Sequence, residues 1–319
     1  MAKLHENFSF TFLSPQPFNF HLTASAYNFN WFYNGQSLYL PLSRKPDVVA
    51  KIEPVDKELV VKVFSKVSMS KDEVEDKVVF ALGLQEELSS FYEIAFNDPL
   101  LRYVPLKLKG MHLRCCSPWL ALLIALCQQN ASFRQGWSMV YHVLELLGLR
   151  VEVDGRIVPL PPTPMEVVEA GLKQLKAARL GYRAETLFMA ANWLMDYLRG
   201  EEPDEASILA LKEQVKGIGT YTLRVALLFG ARRYEEPPVD RWLVKVVSEA
   251  YGQSLKGLSE AEAFIKQRWH EWGGLFAFFT TIVTDAEPGL KAIKRVREGF
   301  LEPKFDFSQL TPMTMWRLL

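Results

Sequence analysis

Cysteine is scarce in this chain of 319 residues, occurring only as Cys115, Cys116 and Cys127. An odd, clustered trio makes no disulfide framework and falls short of the four spaced thiolates of an iron–sulfur or all-cysteine zinc site. Excess charge of either sign is missing too. Lys+Arg and Asp+Glu each total 37, for a net charge of zero, which excludes a polybasic coat protein and an acidic tail but leaves room for a local basic face. The longest apolar run, Trp119 to Cys127, is far short of the about 20 residues that cross a bilayer, and no positively charged leader precedes a long apolar stretch. The expectation is a soluble cytoplasmic protein with no membrane partner, nucleoid-associated in a prokaryote.

Several catalytic signatures are absent as well. There is no Gly-x-x-x-x-Gly-Lys-Ser/Thr loop for a nucleotide phosphate, and no Gly-x-Ser-x-Gly elbow. The five histidines (His5, His21, His112, His142, His270) are scattered. None forms His-Glu-x-x-His, or the His-x-Glu with Cys-x-x-Cys that a zinc hydrolase or deaminase needs. A lone histidine on an apolar helix, such as His142, is ordinarily a satisfied core residue, and all five are set aside as catalytic candidates.

What is present suffices for sizeable cores: 49% of residues are apolar and 23% charged, a globular balance whose length suggests two or three units. The first seventy residues read as strands. Phe8 to Leu13 alternates, and Phe29 to Tyr33, Asn34-Gly35 and Ser37 to Leu42 give a hairpin signal. Val48 to Ile52 and Leu59 to Phe64 are β-branched runs around the turn sequence Glu53-Pro54-Val55-Asp56.

From about Lys71 the periodicity becomes helical. Ser117-Pro118 opens one helix, Phe133 to Leu147 is a second, and a loop with Pro159, Pro161, Pro162 and Pro164 leads into a Thr163–Glu166 capping box. Further helices are expected over Arg183 to Arg199, from Asp204, over Thr220 to Phe229, from Asp240, after a Ser259–Glu262 capping box, over Trp272 to Val283, and over Leu290 to Glu298. The fold expected is α+β: an antiparallel sheet domain with flanking helices over 1–110, a mainly helical domain over 111–300, and an irregular surface tail over 301–319.

The most informative segment is Val215-Lys216-Gly217-Ile218-Gly219-Thr220-Tyr221. One helix ends, two glycines flank an isoleucine, and another helix begins. Glycine permits backbone angles closed to other residues, and the first N–H groups of the new helix lack intrahelical partners at the positive end of its dipole. Such a turn can cradle a phosphate oxygen. A plain helical hairpin with a tight glycine turn explains the same residues. Asp240, in Pro237-Pro238-Val239-Asp240-Arg241-Trp242-Leu243, reads on its own as a helix N-cap.

Taken together, the hairpin, the proline-bearing loop and Asp240 at a helix start resemble the helix-hairpin-helix DNA glycosylases, in both their alkylated-base (3-methyladenine II) and 8-oxoguanine branches. The resemblance extends to Gly181-Tyr182-Arg183, to Gln129-Asn130 within Leu126 to Ser132, and to Trp272 to Phe278. It departs from the pattern at Lys216, which stands where a proline is usual, and in the tail. It implies an α+β glycosylase fold and double-stranded DNA with a damaged base as partner, bound by a monomer. It further implies Asp240 as the catalytic carboxylate, with Gly217, Gly219, Lys216 and Thr220 on the DNA backbone. Asn130 would be the wedge filling the gap left by an extruded base, and Gln129 its brace or a reader of the opposite base. Tyr221 and Trp272 would line the base pocket. Bifunctional members carry a lysine at the position of Tyr221; a phenol cannot form an imine, so a monofunctional enzyme acting on damaged, alkylated purines is expected.

The alternatives are an oxidised- or deaminated-purine glycosylase and a non-catalytic DNA-binding module. No cofactor or catalytic metal is expected, although such hairpins can hold a structural monovalent cation. Arg183, Lys216, Arg224, Arg232, Arg233, Arg241 and Lys245 are candidate phosphate donors. They are interleaved with acids, and Lys216 is preferred among them for its place beside the hairpin.

Overall fold

The structure, a computed structural model, describes residues 2–319. The chain opens with β1 (Ala2–Lys3), β2 (His5–Leu13) and α1 (Phe20–Ser25), then β3 (Leu38–Arg44), β4 (Asp47–Val55) and β5 (Glu58–Ser65). These strands form an antiparallel sheet in the order β2-β5-β4-β3. The two-residue period of β4 sends Val48, Ala50 and Ile52 to one face and Val49 to the other. The first set packs with Phe20 and Ala24 of α1 and with Val74, Val78 and Leu82 of α2 (Lys71–Leu82). Val49 and Phe64 join the core of the helical body. The sheet is therefore covered on both faces along Val48 to Ala50, where three consecutive residues of β4 are apolar and buried.

The helices continue with α3 (Ser89–Phe96), α4 (Val104–Lys107), α5 (Pro118–Gln128) and α6 (Phe133–Leu147), and a hairpin of β6 (Leu149–Val153) and β7 (Arg156–Leu160) follows. Next come α7 (Pro164–Ala177), α8 (Arg183–Leu198), α9 (Glu205–Gln214), α10 (Thr220–Ala231) and α11 (Arg241–Tyr251). The last are α12 (Leu258–Trp269), α13 (Gly273–Val283), α14 (Gly289–Glu298) and α15 (Met315–Leu318). α5 is the central element, buried from Trp119 to Cys127 except for half-buried Leu120. It packs along α10, whose Gly230 lets the two backbones approach: a Cβ there would sit 2.9 Å from the Pro118 Cα.

The helix starts read from the sequence at Ser117, Thr163, Asp204 and Asp240 recur as caps, and the structure adds Ser132 before α6. Ser117, Ser132, Thr163, Asp204 and Asp240 each accept from a backbone N–H of the following turn, an interaction worth about 1 kcal/mol per helix.

Five expectations change. Phe29 to Tyr33 is a helical turn, not a strand, and only a single Tyr33–Leu38 bridge remains of the hairpin; burying Phe29 against Trp137 and Tyr141 outweighs strand pairing. The β4–β5 turn falls at Asp56-Lys57. Pro54 stays in the strand because β3 ends its pairing at Ile52, so no neighbour needs the missing N–H. Ser259 lies inside α12, which Gly257 caps without a side chain, and Glu262 pairs with Arg224. The proline-rich stretch conceals the β6–β7 hairpin, turned at Asp154-Gly155 and extended by β1 in parallel.

The fifth change concerns the units themselves. α3 and α4 share a core with α11, α12 and α13, so packing does not divide at residue 110. The tail is no surface strand of irregular chain. Leu301, Met313, Met315 and Trp316 are buried, and the Pro312 and Leu319 carbonyls accept from the Tyr27 and Asn30 N–H groups. Trp316 packs edge-on against Tyr33 and lies close enough to Gly35 that a Cβ there would meet it at 3.2 Å.

Candidate active site

Two glycines, similar in sequence, differ in structure. Gly217 has φ +101, and a Cβ there would meet the Thr186 Oγ1 of α8 at 2.7 Å. Gly219 has φ −102 and ψ −179 as the N-cap of α10, with nothing within 4 Å of its would-be Cβ. Between them Ile218 is buried in the core. The protein thus demands glycine at 217, whereas 219 faces open space beside free N–H groups. Lys216 and Thr220 are exposed on either side.

The α5–α6 loop is fastened to this hairpin. Gln129 Nε2 donates to the Gly217 carbonyl at 2.9 Å and to Thr222 Oγ1 at 2.6 Å. The Gln129 carbonyl in turn accepts from Arg183 Nε at 3.1 Å and from Nη2. These bonds tie Gln129 to the hairpin, and Arg183 to the loop backbone. Asn130 is exposed at φ +44, with Nδ2 donating to the Tyr182 hydroxyl at 3.3 Å; asparagine tolerates that left-handed backbone better than most residues. The Gly217 carbonyl accepts from Gln129 and the Val215 carbonyl from the Ile218 N–H. No group of three metal-binding side chains occurs among the described residues.

Behind the loop and hairpin lies a cavity of about 400 Å³. α6 contributes Phe133 and Trp137, α10 contributes Tyr221 and Phe229, and α13 contributes Phe278, with Tyr27 from the N-terminal part and Trp242 from α11. Its polar lining includes Gln128, Ser132, Arg134, Asp240, Asp285 and Glu287, and no lysine lines it among the described residues. Tyr27 stacks on Trp137 at 5.5 Å, and its hydroxyl bonds Thr281. Its φ of +48 is exceptional for a bulky residue and costs about 1–2 kcal/mol. Nothing local in the sequence signals Tyr27, whereas Phe278 ends the Trp272–Phe278 stretch to which the resemblance extends; the two meet only through the fold.

Asp240 caps α11 by accepting from the Leu243 N–H at 2.7 Å. Burial pushes its carboxyl pKa above the usual aspartate value, and the α11 N–H groups offset this in part. Burial and the nearby Asp240 charge also push the Tyr221 phenol up, so it remains neutral. All three thiols are likewise held protonated by burial, Cys115 at about 11 and Cys116 and Cys127 at about 12.

Trp272 is elsewhere. It packs with Phe91 and Tyr234 and donates to Ser90, outside the cavity; the aromatic wall expected of it is supplied by Trp242 and Phe278. Most candidate phosphate donors are also spoken for. Arg224 pairs with Glu236 and Glu262, Arg232 with Glu86, and Arg233 with Glu205 and Glu235. Lys216, Arg241 and Lys245 make no ion pair among the described residues.

No protein-family model and no curated protein matches this sequence. Solved structures do match its fold. The 3-methyladenine DNA glycosylase of Archaeoglobus fulgidus superposes with a TM-score of 0.69 at 18% identity, covering 90% of this chain and 98% of that one. The 8-oxoguanine glycosylase/lyase of Clostridium acetobutylicum does so at 0.65 and 17%, covering 87% and 98%. The latter's complex with double-stranded DNA containing cytosine opposite 8-oxoguanine gives 0.65 and 15%, covering 93% and 98%. The chain has the α+β fold that these DNA glycosylases share.

Proposed function

We propose that the protein is a monofunctional DNA glycosylase that extrudes a damaged purine from duplex DNA and hydrolyses its N-glycosidic bond. The observation that carries this reading is Asp240. Its carboxylate stands in an aromatic cavity of about 400 Å³, directly behind a loop and a glycine hairpin that are bonded to each other. A helix cap alone would need no cavity, and a pure DNA-binding module would need no half-buried carboxylate lining one.

The chemistry follows from the geometry. A stacked base is inaccessible, so the nucleotide must rotate out, which costs a few kcal/mol and least for a weakly paired lesion. The orphan N–H groups at Gly219 and Thr220, with Lys216 beside them, hold the backbone, and Asn130 fills the vacated space. Breaking the bond builds positive charge on the sugar, which the poorly solvated Asp240 carboxylate stabilises while orienting the attacking water. The aromatic walls stack on the base, most strongly on one made cationic by alkylation. Tyr221 cannot form an imine, and Lys212 lies on α9 outside the cavity lining, so no strand cleavage accompanies base loss. The reaction requires no cofactor.

One observation favours a second reading, an oxidised or deaminated purine as substrate. Gln128 is among the residues lining the cavity, an amide suited to a base with a hydrogen-bonding edge. Base release from duplexes carrying alkylated purines, hypoxanthine, 8-oxoguanine or uracil, read with and without alkali, tests both readings. Abasic product that breaks only after alkali and vanishes in Asp240→Asn supports the monofunctional enzyme; duplex binding without release of any base refutes it.

A further inference from the structure

Arg114 precedes α5 and is walled in between two hollows. One, of about 350 Å³, shares no lining residue with the Asp240 cavity. The other, of about 50 Å³, is bounded by Tyr27, Trp137, Phe229 and Phe278, which also line the Asp240 cavity. Among the described residues Arg114 has no carboxylate partner. Nη2 donates to the Ala26 carbonyl at 3.1 Å and to the Tyr27 carbonyl at 3.2 Å, while Nε is sealed from solvent without a partner. A half-buried guanidinium that donates only to peptide carbonyls and leaves Nε unpartnered is a costly way to make hydrogen bonds. The carbonyls it holds belong to one turn, where Tyr27 takes its left-handed backbone. From the opposite side the Tyr27 N–H is held by the Pro312 carbonyl of the tail at 2.8 Å.

We propose that Arg114 is a positioning residue for base selection, clamping the left-handed turn so that the Tyr27 ring forms the inner wall of the Asp240 cavity. The proposal rests on the glycosylase reading above and names what sets the depth of that site. Strained backbone persists only where its surroundings hold it. Without the guanidinium, the turn relaxes toward ordinary angles and the ring withdraws from Trp137. The cavity deepens, so a small purine loses its fit while a larger fused ring system is less affected. Arg114 touches no reacting atom and acts through Tyr27 alone.

The test uses the full chain as wild type, Arg114→Ala and Arg114→Lys. Single-turnover base release is measured on duplexes carrying hypoxanthine or 1,N6-ethenoadenine. Near-ultraviolet circular dichroism follows the Tyr27–Trp137 pair. Arg114→Ala is expected to lose release of hypoxanthine on the order of tenfold to a hundredfold, to lose less on the larger base, and to change the aromatic dichroism. Millimolar methylguanidinium, which the hollow of about 350 Å³ can admit, should restore both signals where urea and sodium chloride do not. Arg114→Lys, keeping the charge but not the fork, should fall between and serves if the alanine variant does not fold.

Equal losses on both bases, or a defect that methylguanidinium leaves unchanged, would overturn the proposal. So would an unchanged dichroism in Arg114→Ala. If the wild type releases neither base, the dichroism with methylguanidinium still decides whether Arg114 holds Tyr27, and the full lesion panel decides the enzyme reading separately.

Discussion

The two hairpin glycines offer a paired test of what belongs to the fold and what belongs to a ligand. At Gly217 an alanine would stand at φ +101 with its methyl 2.7 Å from the Thr186 hydroxyl. The left-handed backbone alone costs an L-residue about 1–2 kcal/mol, and displacing Thr186 adds to it, so Gly217→Ala should lower unfolding stability by about 2–3 kcal/mol. At Gly219 an alanine stands at φ −102 in open space. Losing a favoured cap residue and shedding unfolded-state entropy are opposed effects of similar size, so Gly219→Ala should shift stability by less than about 1 kcal/mol. Its methyl nevertheless occupies the approach to the first N–H groups of α10. Losing one charge-assisted hydrogen bond to phosphate is worth about 1.5–3 kcal/mol, roughly a tenfold to a hundredfold weaker Kd. Urea unfolding and fluorescence anisotropy on a duplex with an abasic-site analogue, run on both variants, give the four numbers needed. The reasoning is refuted if Gly219→Ala binds the duplex as well as wild type, or if it is destabilised as much as Gly217→Ala.

Asp240→Asn should abolish base release while keeping the α11 cap. Because burial raises the Asp240 pKa, the native state holds that proton more tightly than the unfolded chain, so the ionised carboxylate lowers stability above its folded pKa. Asp240→Asn should therefore unfold at higher urea than wild type at pH 7, with the gap closing as pH falls through that pKa. The same shift places the acid limb of kcat/KM above the ordinary aspartate value of about 3.9; a limb at or below that value would contradict it. Borohydride should trap no covalent complex with lesion-bearing DNA, and a trapped band would reveal an amine that the cavity lining does not contain. Trp316→Ala, emptying a buried site against Tyr33 and Gly35, should cost about 3–5 kcal/mol in urea unfolding. A loss under about 0.5 kcal/mol, the range of surface substitutions, would mean that the tail is not part of the core.

Much of this protein is written in short-range chemistry that can be read along the chain. Caps at Ser117, Ser132, Thr163, Asp204 and Asp240, the Gly217-Ile218-Gly219 turn and the apolar run of α5 all act within a few residues of themselves. Tertiary packing had only to leave them alone. The β6–β7 hairpin was legible in the same way, in the alternation around Asp154-Gly155, but the neighbouring prolines masked it. Other features are decided by partners distant in sequence. Phe29 to Tyr33 carries strand-forming residues yet turns helically, because Trp137 and Tyr141 of α6 receive Phe29. The tail looks like surface chain until Tyr27 and Asn30 supply donors for its carbonyls. Trp272 and Trp242 are alike in one sequence, and only the packing of α11 and α13 sends one to the cavity and the other to Phe91.

The candidate catalytic carboxylate and the hairpin were therefore determined by the sequence alone, since each is a local conformation with a local cause. The aromatic walls around Asp240, the bond joining Gln129 to the hairpin and the Arg114 clamp on Tyr27 were decided only by the tertiary structure. Burial and stacking reward whichever apolar surfaces meet, and the sequence does not state which ones will.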